Sequence, residues 1–441
     1  MLVWWLWEQL DAWSALIFIV VLLLVSDYLK NRDGKNFPPS PIWVPFVGDL
    51  FSMTSDQPHQ YMAKLKEKYG DIYSLRLGGS KTVIVNGYKL AREALLTQGY
   101  ALTGRPQPAI YERIYKKPGI GLSNGYTWKE HKRFVLTTLR NFGVGKKSLE
   151  SIIMEEVKFF VEAFEEERGQ PFNPHYMINN AVSNIICLIV LGHRFEYSDS
   201  HYQEIQHLMN KGAYLEGSWW TWRKNDPAAE FNDDTLCSNT FDLFVAGGET
   251  TATTLRWALL FMAQNPHIQE KVQAEIDSVL GQTRLPSMED KINLPYTEAV
   301  VHEVQRKADI VPVNLLKMTT EDMTIGGYLI PKDTAILINL SSVLNDKDEW
   351  ETPDTFNPGH FLTPDGKFRR REAFMPFSAG KRPCLGEPLA RIELFLFFTC
   401  LLKKFTFRAP EGTSLTLDAI TGFTRAPLPH KICAIPRGQT A

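Results

Sequence analysis

The sequence predicts a mainly α-helical protein with a smaller β-rich part, preceded by one N-terminal transmembrane helix. Three observations predict this class. Apolar residues recur at three-to-four spacing over residues 149–164, and a more apolar helical run covers residues 177–191. Residues 72–85 have the pattern of a β-hairpin with a Gly-Gly turn. Residues 12–25 carry no charge, which favours a membrane helix.

The composition is that of an ordinary globular protein, and the chain is long enough for a large core. The 441 residues are 44% hydrophobic and 22% charged, with a formal net charge of −2, so the charge does not favour nucleic acid as a partner. The five cysteines are far apart and form no CxxC pair, which argues against a zinc or disulfide framework. We therefore expect a reducing compartment.

The N-terminus divides the chain. We expect residues 1–29 to form a signal anchor, residues 30–48 a basic, proline-rich hinge, and residues 49–441 the catalytic domain. A spanning helix needs about 20 apolar residues, so the tryptophan-rich start should lie in the membrane interface. Basic residues follow and place the catalytic domain in the cytosol by the positive-inside rule: Lys30, Arg32 and Lys35. A buried core helix is the alternative for this apolar run.

The loop around Cys384 is the stretch most suited to chemistry, because it leads directly into an apolar run at helical spacing. A helix N-terminus offers unpaired N–H groups and the positive end of the helix dipole, and both stabilise a thiolate. Lys381 and Arg382 add positive charge, while Gly380 and Gly386 let the backbone lie close to a flat group. These features indicate an anionic sulfur that binds a metal. The alternative is a buried structural cysteine.

Five residues share the spacing Phe-x-x-Gly-x-Arg-x-Cys-x-Gly: Phe377, Gly380, Arg382, Cys384 and Gly386. This spacing resembles the haem-binding signature of the cytochrome P450 family of haem-thiolate monooxygenases. The resemblance covers nearly the whole chain and points to the microsomal second family, near its J subfamily. It implies the cytochrome P450 fold and haem b with Cys384 as axial thiolate. It also implies four further residues that hold the haem: Arg105, Trp128, Lys132 and Arg382.

Residues 235–264 have the pattern of one long apolar helix with Ala246-Gly247-Gly248-Glu249-Thr250 in its middle. Two adjacent glycines cost a helix about 1 kcal/mol each relative to alanine. The segment resembles the family's Ala/Gly-Gly-x-Asp/Glu-Thr motif, where the helix bends and leaves a groove for dioxygen. The resemblance implies that Thr250 hydrogen-bonds dioxygen and that Glu249 relays protons. The alternatives are a threonine bonded to its own helix and a glutamate in a structural salt bridge.

Glu303 and Arg306 lie three residues apart on a predicted helix, on one face. They match the family's Glu-x-x-Arg pair, whose role is structural. His360 stands where arginine usually completes this network, so we expect a weaker network. The positions that would line the substrate pocket are largely apolar, which favours a lipophilic substrate such as a fatty acid, a steroid or a xenobiotic: Ile110, Tyr111, Ala246, Val311, Val313 and Phe423.

The interval after residue 217 is shorter than in the family, where it holds a helix that roofs the substrate cavity. A missing roof would alter or abolish substrate capture. Three interpretations stay open: a monooxygenase, a haem-thiolate isomerase that rearranges peroxides without a reductase, and a shortened, non-catalytic isoform that binds haem poorly.

A monooxygenase needs electrons from another protein, because this chain has no GxGxxG or Walker motif. The resemblance implies NADPH–cytochrome P450 reductase, with cytochrome b5 as a second candidate partner. Lys129, Lys132 and Lys381 would supply positive charge for docking near the thiolate face. The implied location is the endoplasmic reticulum membrane, with a single span.

Overall fold

The computed structural model describes residues 12–49, 58–107, 118–144, 147–200, 202–204, 206–207, 233–281 and 283–438. Helices dominate this part of the chain. Its strands form one four-stranded sheet and three two-stranded sheets. The predicted class, mainly α with a smaller β part, is confirmed.

The helices of the described part are α1 (Ala12–Lys30), α2 (Pro58–Tyr69), α3 (Gly87–Arg92), α4 (Gly125–Asn141), α5 (Lys147–Glu166), α6 (His175–Leu191), α7 (Asp233–Phe244), α8 (Thr250–Gln264), α9 (Pro266–Leu280), α10 (Pro295–Ala308), α11 (Leu340–Leu344) and α12 (Glu387–Lys404). The π-helical segments are Glu93–Thr97 and Val245–Glu249, and the 3-10 segments are Met288–Asn293 and Pro358–Phe361. The strands are β1 (Ile72–Leu77), β2 (Ser80–Val85), β3 (Lys317–Met318), β4 (Met323–Ile325), β5 (Tyr328–Ile330), β6 (Ala335–Ile338), β7 (Phe405–Arg408), β8 (Ala419–Thr421), β9 (Arg425–Pro427) and β10 (Cys433–Pro436).

Helix α1 contains a segment, Trp13–Lys30, that is long and apolar enough to cross a membrane. Its apolar side chains are exposed from Trp13 to Leu29. A core helix would bury them, so α1 is a candidate membrane span rather than part of the core.

The main sheet has the order β1-β2-β6-β3. The predicted hairpin is present as β1 and β2, which pair antiparallel. Strand β6 adds to β2 in parallel, and β3 pairs antiparallel with β6. Met318 of β3 also bridges to Gly104. The short strand therefore brings the chain near residue 105 beside the chain near residue 317.

Helices α5, α6, α8 and α12 share one large hydrophobic core. Phe160 of α5 meets Phe397 of α12 edge to face, with ring centroids 5.2 Å apart, and contacts Phe164 at 4.9 Å. All three rings are fully buried. Such aromatic pairs add about 0.5–1.5 kcal/mol beyond the burial of their area. The core fixes α12, and with it the end of the cysteine loop that leads into this helix, relative to α8.

The predicted long helix is present as α7, the π-helical segment Val245–Glu249 and α8 in succession. Its two adjacent glycines face α6. A Cβ at Gly247 would lie 2.6 Å from Ile186 Cδ1, and one at Gly248 would lie 2.8 Å from Ser183 Oγ. Glycine therefore lets the two helices approach closely. The π-helical segment interrupts the regular α-helix at the predicted motif, as such segments often do at functional sites.

Candidate functional site

Cys384 lies between the loop that begins at Phe377 and the first turn of α12. Its N–H donates a hydrogen bond to the Phe377 carbonyl oxygen at 3.0 Å. The side chain is exposed, yet protein atoms surround it closely enough that burial raises the pKa of its thiol. The sulfur is therefore accessible although protein atoms crowd it.

The surroundings of the sulfur disfavour the thiolate, whereas the sequence predicted that they would stabilise it. The N–H groups of Gly386 and Glu387 lower the pKa of Cys384, as a helix N-terminus should, but burial outweighs them and the net shift is upward. Lys381 does not approach the sulfur, because its Nζ lies over the Tyr100 ring, 3.7 Å from the centroid. A thiolate here therefore requires a further positive charge, such as a bound metal ion.

Gly380 is required by the backbone of another segment. Its φ is +84°, and a Cβ would lie 2.1 Å from the Leu95 carbonyl oxygen in the segment Glu93–Thr97. The sequence predicted that Gly380 would leave room for a flat group, and the structure instead places protein backbone against it. Nearby, Asn314 Nδ2 donates to Ser378 Oγ at 2.6 Å, where Ser378 has a φ of +59°.

Trp128, Lys132 and Arg382 lie together as the motifs predict. The Arg382 guanidinium stacks on the Trp128 ring at 4.2 Å, and Lys132 Nζ lies 5.1 Å from the same ring. Lys132 Nζ also donates to the Lys381 carbonyl oxygen at 3.0 Å. Lys132 is therefore tied to the cysteine loop rather than presented for docking. The neighbouring Arg133 does not take the place of Lys132 in this group, because its side chain is 80% exposed and lies near Glu130.

Arg105 is buried in a cage of carbonyl oxygens. Its Nη1 donates to the carbonyl oxygens of Leu315 at 2.7 Å and Leu316 at 2.6 Å, and its Nε donates to that of Gly121 at 3.1 Å. Burial lowers the pKa of Arg105 to about 10. Arg382 donates to the carbonyl oxygen of Ser123, and burial together with the nearby Arg105 lowers its pKa to about 9.

Lys317 is a functional candidate that the sequence analysis missed. It lies on β3 and is 1% exposed. Burial, Arg105 and Arg382 all lower its pKa, in that order of size. Its only sequence signal is a single charge within the run Leu315-Leu316-Lys317-Met318, which is too weak to assign a site.

These four basic side chains form a cationic cluster: Arg105, Lys132, Lys317 and Arg382. Within the described residues, no ion pair joins any of them to a carboxylate. Arg382 Nε is buried without a hydrogen-bond partner. Buried charges are normally paired, so the cluster fits a group that brings its own negative charges. Haem carries two carboxylates, and Arg382 of the cluster lies two positions before Cys384.

Glu249 and Thr250 make different contacts although they are adjacent. Thr250 Oγ1 donates to the Ala246 carbonyl oxygen at 2.7 Å, which is the back-bonded arrangement considered as an alternative. Glu249 Oε1 accepts hydrogen bonds from Thr253 Oγ1 at 2.9 Å and Thr424 Oγ1 at 3.0 Å. Thr424 is a second residue that the sequence analysis missed, since it comes from the C-terminal turn.

The structural pair forms a fully buried, bidentate contact. Arg306 Nε and Nη2 donate to the two carboxylate oxygens of Glu303, each at 2.7 Å, and both side chains are 0% exposed. His360 Nδ1 lies 3.2 Å from Glu303 Oε2, and its Nε2 accepts from the Thr352 N–H at 3.2 Å. Nδ1 is therefore the donor to Glu303, and a neutral histidine occupies the third place.

The predicted pocket residues are only partly described. Ile110 and Tyr111 lie outside the described residues. Ala246 is exposed, and Val311, Val313 and Phe423 are half-buried.

Comparisons with known proteins agree with these motifs. The family model described as Cytochrome P450 matches residues 38–224 and 212–434. Human cytochrome P450 2J2 is 44% identical over 491 residues, which cover 98% of each chain. Cytochrome P450 2J1 of Oryctolagus cuniculus is 45% identical over 483 residues, with 96% of each chain covered. Cytochrome P450 2D10 of Mus musculus is 39% identical over 493 residues, with 97% of this chain and 98% of the relative covered.

The same comparisons bear on the shortened segment. The two segments that match the family model overlap at residues 212–224. Since 98% of 441 residues is about 432, about 59 of the 491 positions aligned with the human relative have no residue from this chain. This agrees with the predicted shortening after residue 217, which falls outside the described residues.

Proposed function

The chain belongs to the cytochrome P450 family of haem-thiolate monooxygenases, and we propose that it inserts one oxygen atom of dioxygen into a lipophilic substrate such as a fatty acid, a steroid or a xenobiotic. The reaction would be a hydroxylation or an epoxidation. The observation that supports this most is the cationic cluster, because its four basic side chains have no carboxylate partner among the described residues and could pair with the carboxylates of a haem.

Six residues would hold the haem in this proposal. Cys384 would bind the iron through its sulfur, and the cationic cluster together with the Trp128 ring would contact the haem carboxylates. When bound, haem with a thiolate ligand supplies activation of dioxygen and favours cleavage of its O–O bond. The positive charge of the metal would also stabilise the thiolate that burial otherwise disfavours.

Proton delivery would depend on the long helix. The Thr250 hydroxyl donates to the Ala246 carbonyl oxygen in this structure, and it would leave this bond to donate elsewhere. Glu249 is a proton carrier of fixed position, because the hydroxyls of Thr253 and Thr424 both bind its Oε1. We propose that Glu249 exchanges protons and that Thr250 passes them on.

We propose that α1 anchors the protein in the endoplasmic reticulum membrane, with the catalytic domain in the cytosol, since Lys30, Arg32 and Lys35 follow the span. Electrons would come from NADPH–cytochrome P450 reductase, with cytochrome b5 as a second donor. Lys129 is exposed and would contribute to the docking face.

The test of the haem assignment is the spectrum of the purified, reduced protein under carbon monoxide. A red-shifted Soret band is expected, and it should be lost in Cys384→Ser and Cys384→His. Cys187→Ser is the matched control, because Cys187 is a buried cysteine on α6 and its replacement should keep the band. A band that survives in Cys384→Ser would overturn the assignment.

Turnover needs a separate test, because a second candidate function has its own support. The shorter length relative to the human relative, with the shortening predicted after residue 217, favours a haem-binding protein that no longer captures substrate. Reconstitution with the reductase and a panel of fatty acids should give oxygenated product only with NADPH. Product without NADPH, from a peroxide substrate, would indicate the isomerase. A normal spectrum with no product from either would indicate the non-catalytic isoform.

A further inference from the structure

The end of α1 forms a buried ion pair with the first strand of the sheet. Asp27 Oδ1 accepts from Arg76 Nη2 at 2.6 Å, and Asp27 Oδ2 accepts from Arg76 Nη1 at 2.7 Å. The Asp27 and Arg76 side chains are 8% and 6% exposed. A bidentate pair of this kind fixes orientation as well as distance. Its two residues are 49 positions apart, so it joins the candidate membrane span directly to the catalytic domain.

The loop that follows the span strengthens this junction. The Phe46 N–H donates to Asp27 Oδ2 at 3.1 Å. The Trp43 ring stacks with Tyr28 of α1 at 6.4 Å and also lies against the Arg76 guanidinium at 4.4 Å. Trp43 thus contacts both α1 and Arg76, the residue that pairs with Asp27.

Residues 30–48 follow the sheet instead of extending as a free spacer. The Ser74 N–H donates to the Pro39 carbonyl oxygen at 2.8 Å, and the Leu329 N–H donates to that of Asn36 at 2.9 Å. Asp33 pairs with Lys81 at 2.5 Å. The sequence predicted a stiff hinge from its prolines. The backbone hydrogen bonds show a segment that is packed against β1 and the β4–β5 hairpin.

Charge balance explains why the junction is buried. Asp27 lies within the span Trp13–Lys30, where a carboxylate is costly unless it is paired. Asn31 Nδ2 and the Phe46 N–H also donate to this carboxylate, each at 3.1 Å, but the pairing cation comes from β1 of the catalytic domain.

We infer that the Asp27–Arg76 pair clamps the catalytic domain to its membrane anchor and holds it in one orientation on the bilayer. The inference rests on the proposed membrane anchoring by α1. It also specifies which surface meets the lipid. Ile42, Val44 and Phe46 are exposed apolar residues of the clamped loop, and the clamp holds this loop beside the end of the span.

The test measures the width of a distance distribution between the anchor and the catalytic domain. Nitroxide labels are placed on unnatural amino acids at Leu23 and Lys64, so that every cysteine stays native; both positions are exposed. The full-length, haem-loaded protein is inserted into nanodiscs of phosphatidylcholine and phosphatidylserine and measured by pulsed electron paramagnetic resonance. We expect a single narrow distribution for the wild type and a distribution at least twice as wide for Asp27→Asn and for Arg76→Ala.

Lys66→Met is the matched control, because it removes a partly exposed ion pair with Asp71 next to the same sheet and should leave the width unchanged. Asp27→Asn lies outside the catalytic domain, so it decides the outcome if Arg76→Ala does not fold. A wild-type distribution that is already wide, or equal widths in Asp27→Asn and the wild type, would overturn the clamp. A wild-type protein that does not stay with the nanodiscs would instead overturn the proposed anchoring, and the clamp with it.

Discussion

The Thr424 hydroxyl donates a hydrogen bond to Glu249 Oε1 at 3.0 Å, across 175 positions of sequence. The bond ties the acid of the long helix to the C-terminal turn that carries Phe423. Thr253 Oγ1 binds the same oxygen from one turn further along the helix. The position of the acid thus depends on an element that also borders the predicted substrate space.

Replacing Thr424 by valine should release Glu249 from the C-terminal turn at nearly constant side-chain volume. Hydrogen bonds to a charged group contribute about 1.5–3 kcal/mol. Without this bond the Glu249 carboxyl should be less well positioned to deliver protons. We expect about a fivefold lower yield of product per NADPH consumed, with an unchanged carbon monoxide spectrum. Thr254→Val is the control, since the Thr254 hydroxyl bonds only the Thr250 carbonyl oxygen among the described contacts. Equal yields from Thr424→Val and Thr254→Val would contradict the positioning role.

Thr250→Ala should keep the carbon monoxide band and divert reducing equivalents to hydrogen peroxide. The reason is that the hydroxyl delivers protons in the proposed relay, whereas it contributes only a back-bond to Ala246 in this structure. The measurement is peroxide formed per NADPH consumed, which should rise severalfold. Thr250→Ser retains the hydroxyl and should behave like the wild type. Equal peroxide yields from alanine and wild type would remove Thr250 from the relay.

Lys317→Met should weaken haem retention, because it removes one of the basic side chains that would face the haem carboxylates in the proposed assignment. The expected measurement is transfer of haem to an excess of apo-globin, about tenfold faster than in the wild type, which corresponds to about 1.4 kcal/mol. Lys317→Arg should restore most of the retention. Lys332→Met, at an exposed lysine, should have no effect. Unchanged transfer in Lys317→Met would exclude Lys317 from the haem site.

Arg306→Met should destabilise the fold far more than His360→Ala. Removing Arg306 leaves the fully buried Glu303 carboxylate without its bidentate partner, which costs about 3–5 kcal/mol. Removing the neutral His360 takes away one hydrogen bond to the same carboxylate and should cost about 1–3 kcal/mol. The free energy of unfolding in urea measures both. Arg370→Met, at an exposed position, should change it by less than about 0.5 kcal/mol. Equal costs for the two buried residues would contradict this ranking.

Glu393→Gln should change how stability depends on pH. Glu393 on α12 is buried, and burial raises the pKa of its carboxyl from 4.5 to about 8. Its protonated form therefore stabilises the fold fully below pH 4.5, and that stabilisation is lost as the pH rises through 8. Between these values the unfolded state ionises first, which costs the wild type about 1.4 kcal/mol per pH unit. The stability of Glu393→Gln relative to the wild type should rise by that amount per unit. A difference that does not vary with pH would show that Glu393 is ionised in the fold.

The parts of the site that could be predicted lie in short segments of sequence. Cys384 and Gly380 were found because five signature residues fall within ten positions, and local spacing survives folding. The long helix and its interruption at Gly247-Gly248 were predicted for the same reason. The Glu303–Arg306 pair needed only helical spacing.

The parts that could not be predicted are contacts between distant segments. Lys317 joins the cationic cluster only because β3 pairs beside residue 104, and Thr424 reaches Glu249 only because the C-terminal turn packs on the long helix. The role expected for Gly380 was also incomplete, because no local pattern indicated the Leu95 carbonyl that lies against it. Asp27 lies at the end of the predicted anchor, and no local pattern connects it with Arg76, which lies on strand β1.

The residues that would hold the haem come from both sides of the shortened segment. Arg105, Trp128 and Lys132 precede it, and Lys317, Arg382 and Cys384 follow it, so the deletion removes none of them. In the proposed assignment, haem binding and substrate turnover are therefore separable properties of this chain. A normal absorption spectrum would report only that haem is bound. Activity has to be judged by the product that is formed.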